Sequence, residues 1–192
     1  DVTALACAFD PLMGEARVVL DGGQLPDQQD DLSGLLARGG QIRTPPRAGV
    51  AITAARTLAL ELAPDSELEL SAPVGRWFDR TTGANLRQGR LMIRTGEVFD
   101  GAAFEVYTAG GMVRVLDGVV AVESDSVGTR VCVLRGDAVA GLNHDELNPI
   151  LQGHCLHLFG RDRDQDLTTL TRTQTVALNR FVRRSGARLG GD

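Results

Sequence analysis

Strict alternation of apolar and polar residues is the feature that most limits how this chain can fold. The stretch TLALELAPDSELELSAP contains two such alternations, hinged at Pro64 and Asp65. Residues 108–136 repeat the pattern, with a glycine-bearing turn about every ten residues. Because successive side chains of a strand point to opposite faces, this period predicts half-buried antiparallel strands. About ten short strands between Glu15 and Leu142 predict a two-sheet β-roll or β-sandwich.

The pattern changes in the last quarter of the chain. One short apolar strand is expected at 155–159, followed by a polar linker, GRDRDQD, and a helix over about 170–184. Asp166 or Thr168 can cap the start of this helix, and Gly186 is expected to end it. An apolar stripe on the helix consists of Leu170, Val176, Ala177, Leu178, Phe181 and Val182.

These patterns predict a mostly β protein with a C-terminal α-helix. We expect three parts: an N-terminal extension at 1–13, a β-domain at 14–142, and a C-terminal strand, linker and helix at 143–192.

Charge argues against nucleic-acid binding. The net charge is -5, and the 20 basic residues, all arginine, are spread between acidic residues along the chain. The basic patch of a nucleic-acid binder is therefore missing. No stretch approaches the ~20 apolar residues of a membrane helix. We expect any signal peptide or membrane anchor to lie outside these 192 residues.

Three cysteines, Cys7, Cys132 and Cys155, permit at most one internal bridge. Cys132 and Cys155 both lie in apolar surroundings and form the pair to test. Isolated buried cysteines are the commoner outcome, so the sequence leaves both arrangements open.

The histidines offer little metal chemistry. His154, Cys155 and His157, with Asp145 or Glu146 nearby, are the ligand types that zinc or iron would use. His154 and His157, however, have the wrong parity to share one strand face. Residues 1–143 contain no histidine, which removes most enzyme alternatives. We expect no catalytic, cofactor-binding or metal site, and no cofactor.

The remaining motifs are interpreted as structural features and not as functional sites. No G-x-S-x-G is present, and Glu67 and Glu69 alternate with leucines as the wet face of a strand does. The glycine pairs 22–23, 39–40 and 110–111 are interpreted as hairpin bends. Arg135-Gly136-Asp137 is interpreted as a plain turn. Trp77 and Phe78 are expected to close one end of the core; an exposed ligand platform is the alternative.

An ordered set of phrases resembles the FecR domain of bacterial periplasmic sigma-regulator proteins. Its counterparts in this chain are GEARVV (14–19), GGQIRT (39–44), VAITAARTLALEL (50–62), LRQGRLMI (86–93), FEVYTAGGMVRVL (104–116) and TRVCVLRG (129–136). The resemblance departs at 117–121, where the family usually has Gly-Thr-x-Phe.

The resemblance implies a periplasmic, non-enzymatic β-domain that acts by contact with another envelope protein, as a sensor or anti-sigma regulator. Typical members also carry a cytoplasmic sigma-binding segment and a membrane helix, and neither is recognisable here. Two alternatives stay open: an extracytoplasmic carbohydrate- or ligand-binding β-sandwich centred on Trp77 and Phe78, and a metal-dependent enzyme centred on His154 and His157.

Overall fold

The structure, a computed structural model, confirms a mostly β fold with a C-terminal helix. It describes residues 7–11, 19–20, 23–24, 40–47, 49–54, 56–70, 82–99, 101–159 and 165–189. The elements, in chain order, are β1 (Cys7–Pro11), β2 (Val19–Leu20), β3 (Gly23–Gln24), β4 (Gly40–Arg43), β5 (Val50–Ala54), β6 (Leu58–Leu62), β7 (Glu67–Leu70), β8 (Thr82–Thr95), β9 (Phe104–Thr108), β10 (Gly111–Ser124), β11 (Gly128–Gly141), β12 (Asn148–Ile150), β13 (His154–Phe159), β14 (Gln165–Thr169) and α1 (Arg172–Leu189). A 3-10 turn, Glu97–Phe99, follows β8.

Three long strands build both layers of the roll. β8, β10 and β11 each have 14 residues. At one end of the molecule, the long strands pair with β6 and β13, and the sheet continues from these to β5, β1 and β14. At the other end, the long strands pair with β7, β9 and β12. We call the first group the helix-side layer and the second, with β4, the open layer. Pairing is antiparallel except between β8 and β9, which run parallel.

One hydrophobic core joins the two layers. It includes Leu60 from the helix-side layer and Ile42, Leu68 and Val106 from the open layer. Because inward side chains of both groups meet in this cluster, the strands wrap around it as a roll.

The plain turn predicted at Arg135-Gly136-Asp137 is wrong, because this segment lies within β11, just as Asp117-Gly118 lies within β10. Gly118 is paired with Gly136 between β10 and β11, and register shifts flank the site. Both glycines have positive φ, 104° and 89°. A Cβ added at Gly118 would lie 2.0 Å from the Arg135 carbonyl oxygen. These glycines therefore bend long strands at a bulge, where the sequence pattern indicated strand ends.

The helix begins later and ends later than predicted. Thr171 caps it: the Gln174 amide donates to Thr171 Oγ1 at 3.2 Å, and the Thr171 amide donates to Gln174 Oε1 at 2.8 Å. This is a capping box. Asp166 and Thr168 instead belong to β14, so the predicted linker contains part of a strand.

Gly186 does not end the helix. The helix continues to Leu189, which is buried against the sheet. A Cβ at Gly186 would lie 3.2 Å from an Arg94 guanidinium nitrogen, so glycine permits close packing there.

The helix covers the outer face of the helix-side layer. Leu178 and Phe181 are buried against Met92, Ala121 and Cys155 in a second cluster. Val176, placed in the same stripe by the sequence, is instead 42% exposed.

Cys132 and Cys155 form a disulfide with Cα atoms 4.0 Å apart. They lie directly opposite each other on β11 and β13. The bridge therefore ties two neighbouring strands beneath the helix, and the commoner outcome of isolated cysteines is wrong here. The side chain of Cys7 lies outside the described residues.

Candidate functional site

The outer face of the open layer has no helix over it among the residues that the structure describes. The main sheet contacts of α1 are with β5, β6, β8 and β10, and its buried side chains lie against the helix-side layer. Tyr107, on β9, is 39% exposed.

The β9–β10 hairpin aligns three polar side chains on this face. Glu105 is paired with Arg114 across the strands, and Tyr107 lies two residues further along β9, on the same face. Arg114 Nε donates to Glu105 Oε1 at 2.8 Å, and Tyr107 Oη donates to Glu105 Oε2 at 2.6 Å. Glu105 is only 4% exposed, so its buried carboxylate is compensated by an arginine and a hydroxyl.

A loop after β11 adds His144 to this cluster. Arg114 Nη2 lies 3.3 Å from His144 Nδ1, and Tyr107 Oη lies 3.3 Å from His144 Nε2. Arg114 can only donate, so Nδ1 accepts. Because the Tyr107 hydroxyl hydrogen already points to Glu105, Nε2 is the donor to the tyrosine oxygen. The contacts thus select the neutral Nε2–H tautomer of His144.

The electrostatics of this cluster suppress ionisation of Tyr107. The hydrogen bond to Glu105 raises the pKa of the Tyr107 phenol, burial and the Glu105 charge raise it further, and Arg114 partly opposes them. Tyr107 therefore stays a neutral hydrogen-bonding group at physiological pH and is unsuited to act as a base.

A shallow cleft opens beside Tyr107. Its volume is about 500 Å³, and it lies between the β9–β10 turn and the loop after β11. The Tyr107 and His144 rings meet edge to face with centroids 6.2 Å apart. The lining residues are Tyr107, Thr108, Ala109, Gly110, Gly111, Met112, Leu142, Asn143 and His144. This mixture of backbone, aromatic and amide groups can bind by shape and hydrogen bonding.

A second polar cluster lies on the same layer. Glu67 accepts from Arg43 at 3.1 Å and also contacts Gln41, while Arg87 Nη2 lies 3.1 Å from Glu69. Leu68 and Leu70 between the two glutamates are buried. The interpretation of Glu67 and Glu69 as the wet face of a strand is confirmed.

The structure does not bring His154 and His157 together. His154 Nδ1 lies 3.1 Å from the Gln152 carbonyl oxygen, whereas His157 Nε2 accepts from Arg130 Nε at 3.2 Å. Burial, followed by the Arg130 charge, lowers the pKa of His157. Within the described ranges, no group of three or more His, Cys, Asp or Glu side chains could hold a metal ion.

Sequence reasoning missed the cluster of Glu105, Tyr107, Arg114 and His144. The same-face spacing of Glu105 and Tyr107 was a readable signal, but the pairing with Arg114 depends on hairpin register. The proximity of His144 depends on the loop. Trp77 and Phe78, on which the carbohydrate-binding alternative rests, lie outside the described residues.

The fold is similar to that of solved bacterial proteins. Two crystal structures of "a putative anti-sigma factor from Parabacteroides distasonis ATCC 8503", at 2.50 and 1.65 Å, superpose with a TM-score of 0.59 each. They are 11% and 10% identical in sequence, and the alignments cover 79% and 78% of this chain and 74% of each of theirs. At this identity the likeness concerns the fold. None of the curated proteins compared matches the sequence significantly.

No helix in the described part of the chain has the length and hydropathy needed to cross a membrane. The model of the FecR protein family matches residues 40–139, just over half of the 192 residues. This range contains most of the phrases on which the resemblance rests, from QIRT to TRVCVLRG, and leaves GEARVV outside. The chain belongs to the FecR family.

Proposed function

We propose that this protein is a non-enzymatic sigma-regulator domain that acts by contact with another envelope protein. Membership of the FecR family and the fold similarity to the Parabacteroides distasonis proteins support this proposal. We further propose that residues 14–142 form the FecR-like domain, to which the extension at 1–13 adds β1 and residues 143–192 add strands and the helix.

The observation that carries the contact role is the accessible face around Tyr107. Tyrosine and arginine are the residue types enriched among energetically dominant interface residues. Tyr107 is held by Glu105 and His144, so little side-chain entropy is lost when a partner covers it. Arg114 is likewise held by Glu105. The cluster offers a preorganised contact surface whose acids and bases already satisfy one another.

The disulfide supports a periplasmic location. Cys132 and Cys155 are 3% and 0% exposed, and their bridge joins two central strands. Disulfides persist in oxidising compartments such as the bacterial periplasm and are rare in the cytosol.

A transcription measurement in the native bacterium tests the regulatory role. We expect Tyr107→Ala to change transcription of a sigma-dependent gene set in the same direction as deletion of the gene. The matched control is Val127→Ala, because Val127 is 67% exposed on the β10–β11 turn, outside the Tyr107 cluster. Equal thermal stability of both purified variants shows that folding is unaffected.

Two results would contradict the proposal. If the gene deletion changes no sigma-dependent transcript, the regulatory role is wrong. If the deletion changes transcription but Tyr107→Ala behaves as the wild type, the regulatory contact lies elsewhere on the molecule.

A further inference from the structure

The C-terminal helix carries a charge opposite to that of the rest of the chain. Its sequence, RTQTVALNRFVRRSGARL, contains five arginines and no acidic residue. The whole chain has 20 basic and 25 acidic residues, so the residues outside α1 have 15 basic and 25 acidic residues and a net charge of -10. Such an asymmetry indicates a partner with negative charge.

The outward face of α1 has an exposed stripe that carries three arginines. Arg172, Val176, Asn179, Arg180 and Arg183 are all exposed, and their spacing of three to four residues puts them on one side of the helix. From Arg172 to Arg183 the stripe is about 16 Å long. Leu178, Phe181 and Leu189 point to the opposite side, into the sheet.

The arginines of this stripe are available to a partner. Within the described residues, Arg172, Arg180 and Arg183 make no ion pair, in contrast to Arg184, which binds Glu61. The helix itself is held in place, because Arg94 donates to the Val182 carbonyl oxygen at 2.7 Å and to Ser185 Oγ at 3.2 Å. The stripe is thus presented as a fixed line of positive charge.

We propose that this stripe docks on the surface of an anionic phospholipid bilayer. A protein interface usually centres on a buried aromatic or aliphatic anchor, whereas the stripe has only Val176 as an exposed apolar residue. Several arginines along a convex helix fit a flat layer of phosphate groups better than a pocket. The negative charge of the rest of the molecule opposes binding through its other faces, so docking would also orient the protein on the membrane.

Vesicle sedimentation with the full chain tests the proposal. We expect binding to vesicles of phosphatidylglycerol and phosphatidylethanolamine at low ionic strength, loss of binding at high salt, and no binding to phosphatidylcholine alone. Each surface arginine contributes roughly fivefold to membrane partitioning, so Arg180→Gln/Arg183→Gln should weaken binding about 25-fold.

The matched control is Arg43→Gln/Arg87→Gln. It makes the same change in net charge on the open layer, away from the helix, at side chains that are 60% and 54% exposed. We expect this control to bind within about twofold of the wild type. Equal loss of binding in both double variants would overturn the proposal, since it would show a general charge effect. If the wild type binds soluble polyglutamate but not anionic vesicles, the partner is an acidic protein. That result would also overturn the proposal. Neither result bears on the transcription test above.

Discussion

Glu61 and Arg184 form a two-point ion pair that joins the helix to the sheet across 123 positions of sequence. Arg184 Nε donates to Glu61 Oε2 at 3.1 Å, and Arg184 Nη2 lies 2.5 Å from Oε1. The glutamate side chain is 7% exposed and the arginine side chain 42%. Arg184 therefore compensates the buried negative charge of Glu61, which would be unfavourable without a partner.

Arg184→Ala should destabilise the protein by about 2 kcal/mol, because it leaves the buried Glu61 charge without its partner. Urea unfolding measures the loss. Arg183→Ala, on the exposed side of the same turn, should change the free energy of unfolding by less than about 0.5 kcal/mol. Equal effects of the two variants would show that the ion pair contributes nothing.

Removal of the disulfide should destabilise the domain substantially. The bridge spans 23 residues of sequence, and a closed loop of that size corresponds to about 3 kcal/mol in the chain-entropy account. Cys132→Ala/Cys155→Ala should lower the urea midpoint accordingly. Thiol titration of the denatured, unreduced wild type should detect one free thiol of the three cysteines; three would contradict the bridge.

The bulge glycines of β10 and β11 should resist substitution. Gly118→Ala places a Cβ 2.0 Å from the Arg135 carbonyl oxygen at a positive φ, so we expect a loss of at least about 2 kcal/mol by thermal unfolding. Gly101 is the matched control: its φ is +77°, but no atom lies within 4 Å of an added Cβ. Gly101→Ala should cost only about 1 kcal/mol, from the backbone conformation alone.

His157 should make stability fall in mild acid. Burial and the Arg130 charge lower its pKa in the folded protein, although Asp166 and Glu123 oppose the shift. The unfolded chain therefore binds a proton more readily. The contribution of His157 to the free energy of unfolding is complete above about pH 6.5, the ordinary histidine pKa. It is lost as the pH falls through the lower pKa of the folded protein.

Urea unfolding as a function of pH checks this prediction. The free energy of unfolding of His157→Gln should decline less steeply below about pH 6.5 than that of the wild type. Nuclear magnetic resonance titration of the His157 ring should give a midpoint below the ordinary value. A midpoint above it would show that the acidic neighbours dominate.

Tyr107 allows a direct spectroscopic test of the open-layer cluster, because it is the only tyrosine in the chain. Its pKa is raised chiefly by the hydrogen bond to Glu105, so tyrosinate absorbance should appear at higher pH than for free tyrosine. Glu105→Gln removes the charged acceptor and should lower the titration midpoint. An unchanged midpoint in a folded Glu105→Gln protein would show that the carboxylate does not control the phenol.

Sequence periodicity predicted much of the fold and little of the candidate site. Alternation is a local property, so the strand at 67–70 and the burial of Leu68 and Leu70 could be read directly. A glycine bulge inside a strand resembles a turn in sequence, and therefore Arg135-Gly136-Asp137 was wrongly predicted to be a turn. The site was missed because Glu105 and Arg114 meet through hairpin register, and His144 reaches them from a loop.

The sequence by itself determined the β-rich class, the amphipathic C-terminal helix and the family, because each depends on local periodicity or on the order of short phrases along the chain. The tertiary structure alone decided that Cys132 meets Cys155, that Glu61 meets Arg184, and that Tyr107 lies on an accessible face. These pairings join residues brought together by strand register and helix docking, whose free energy comes from burial in the shared core.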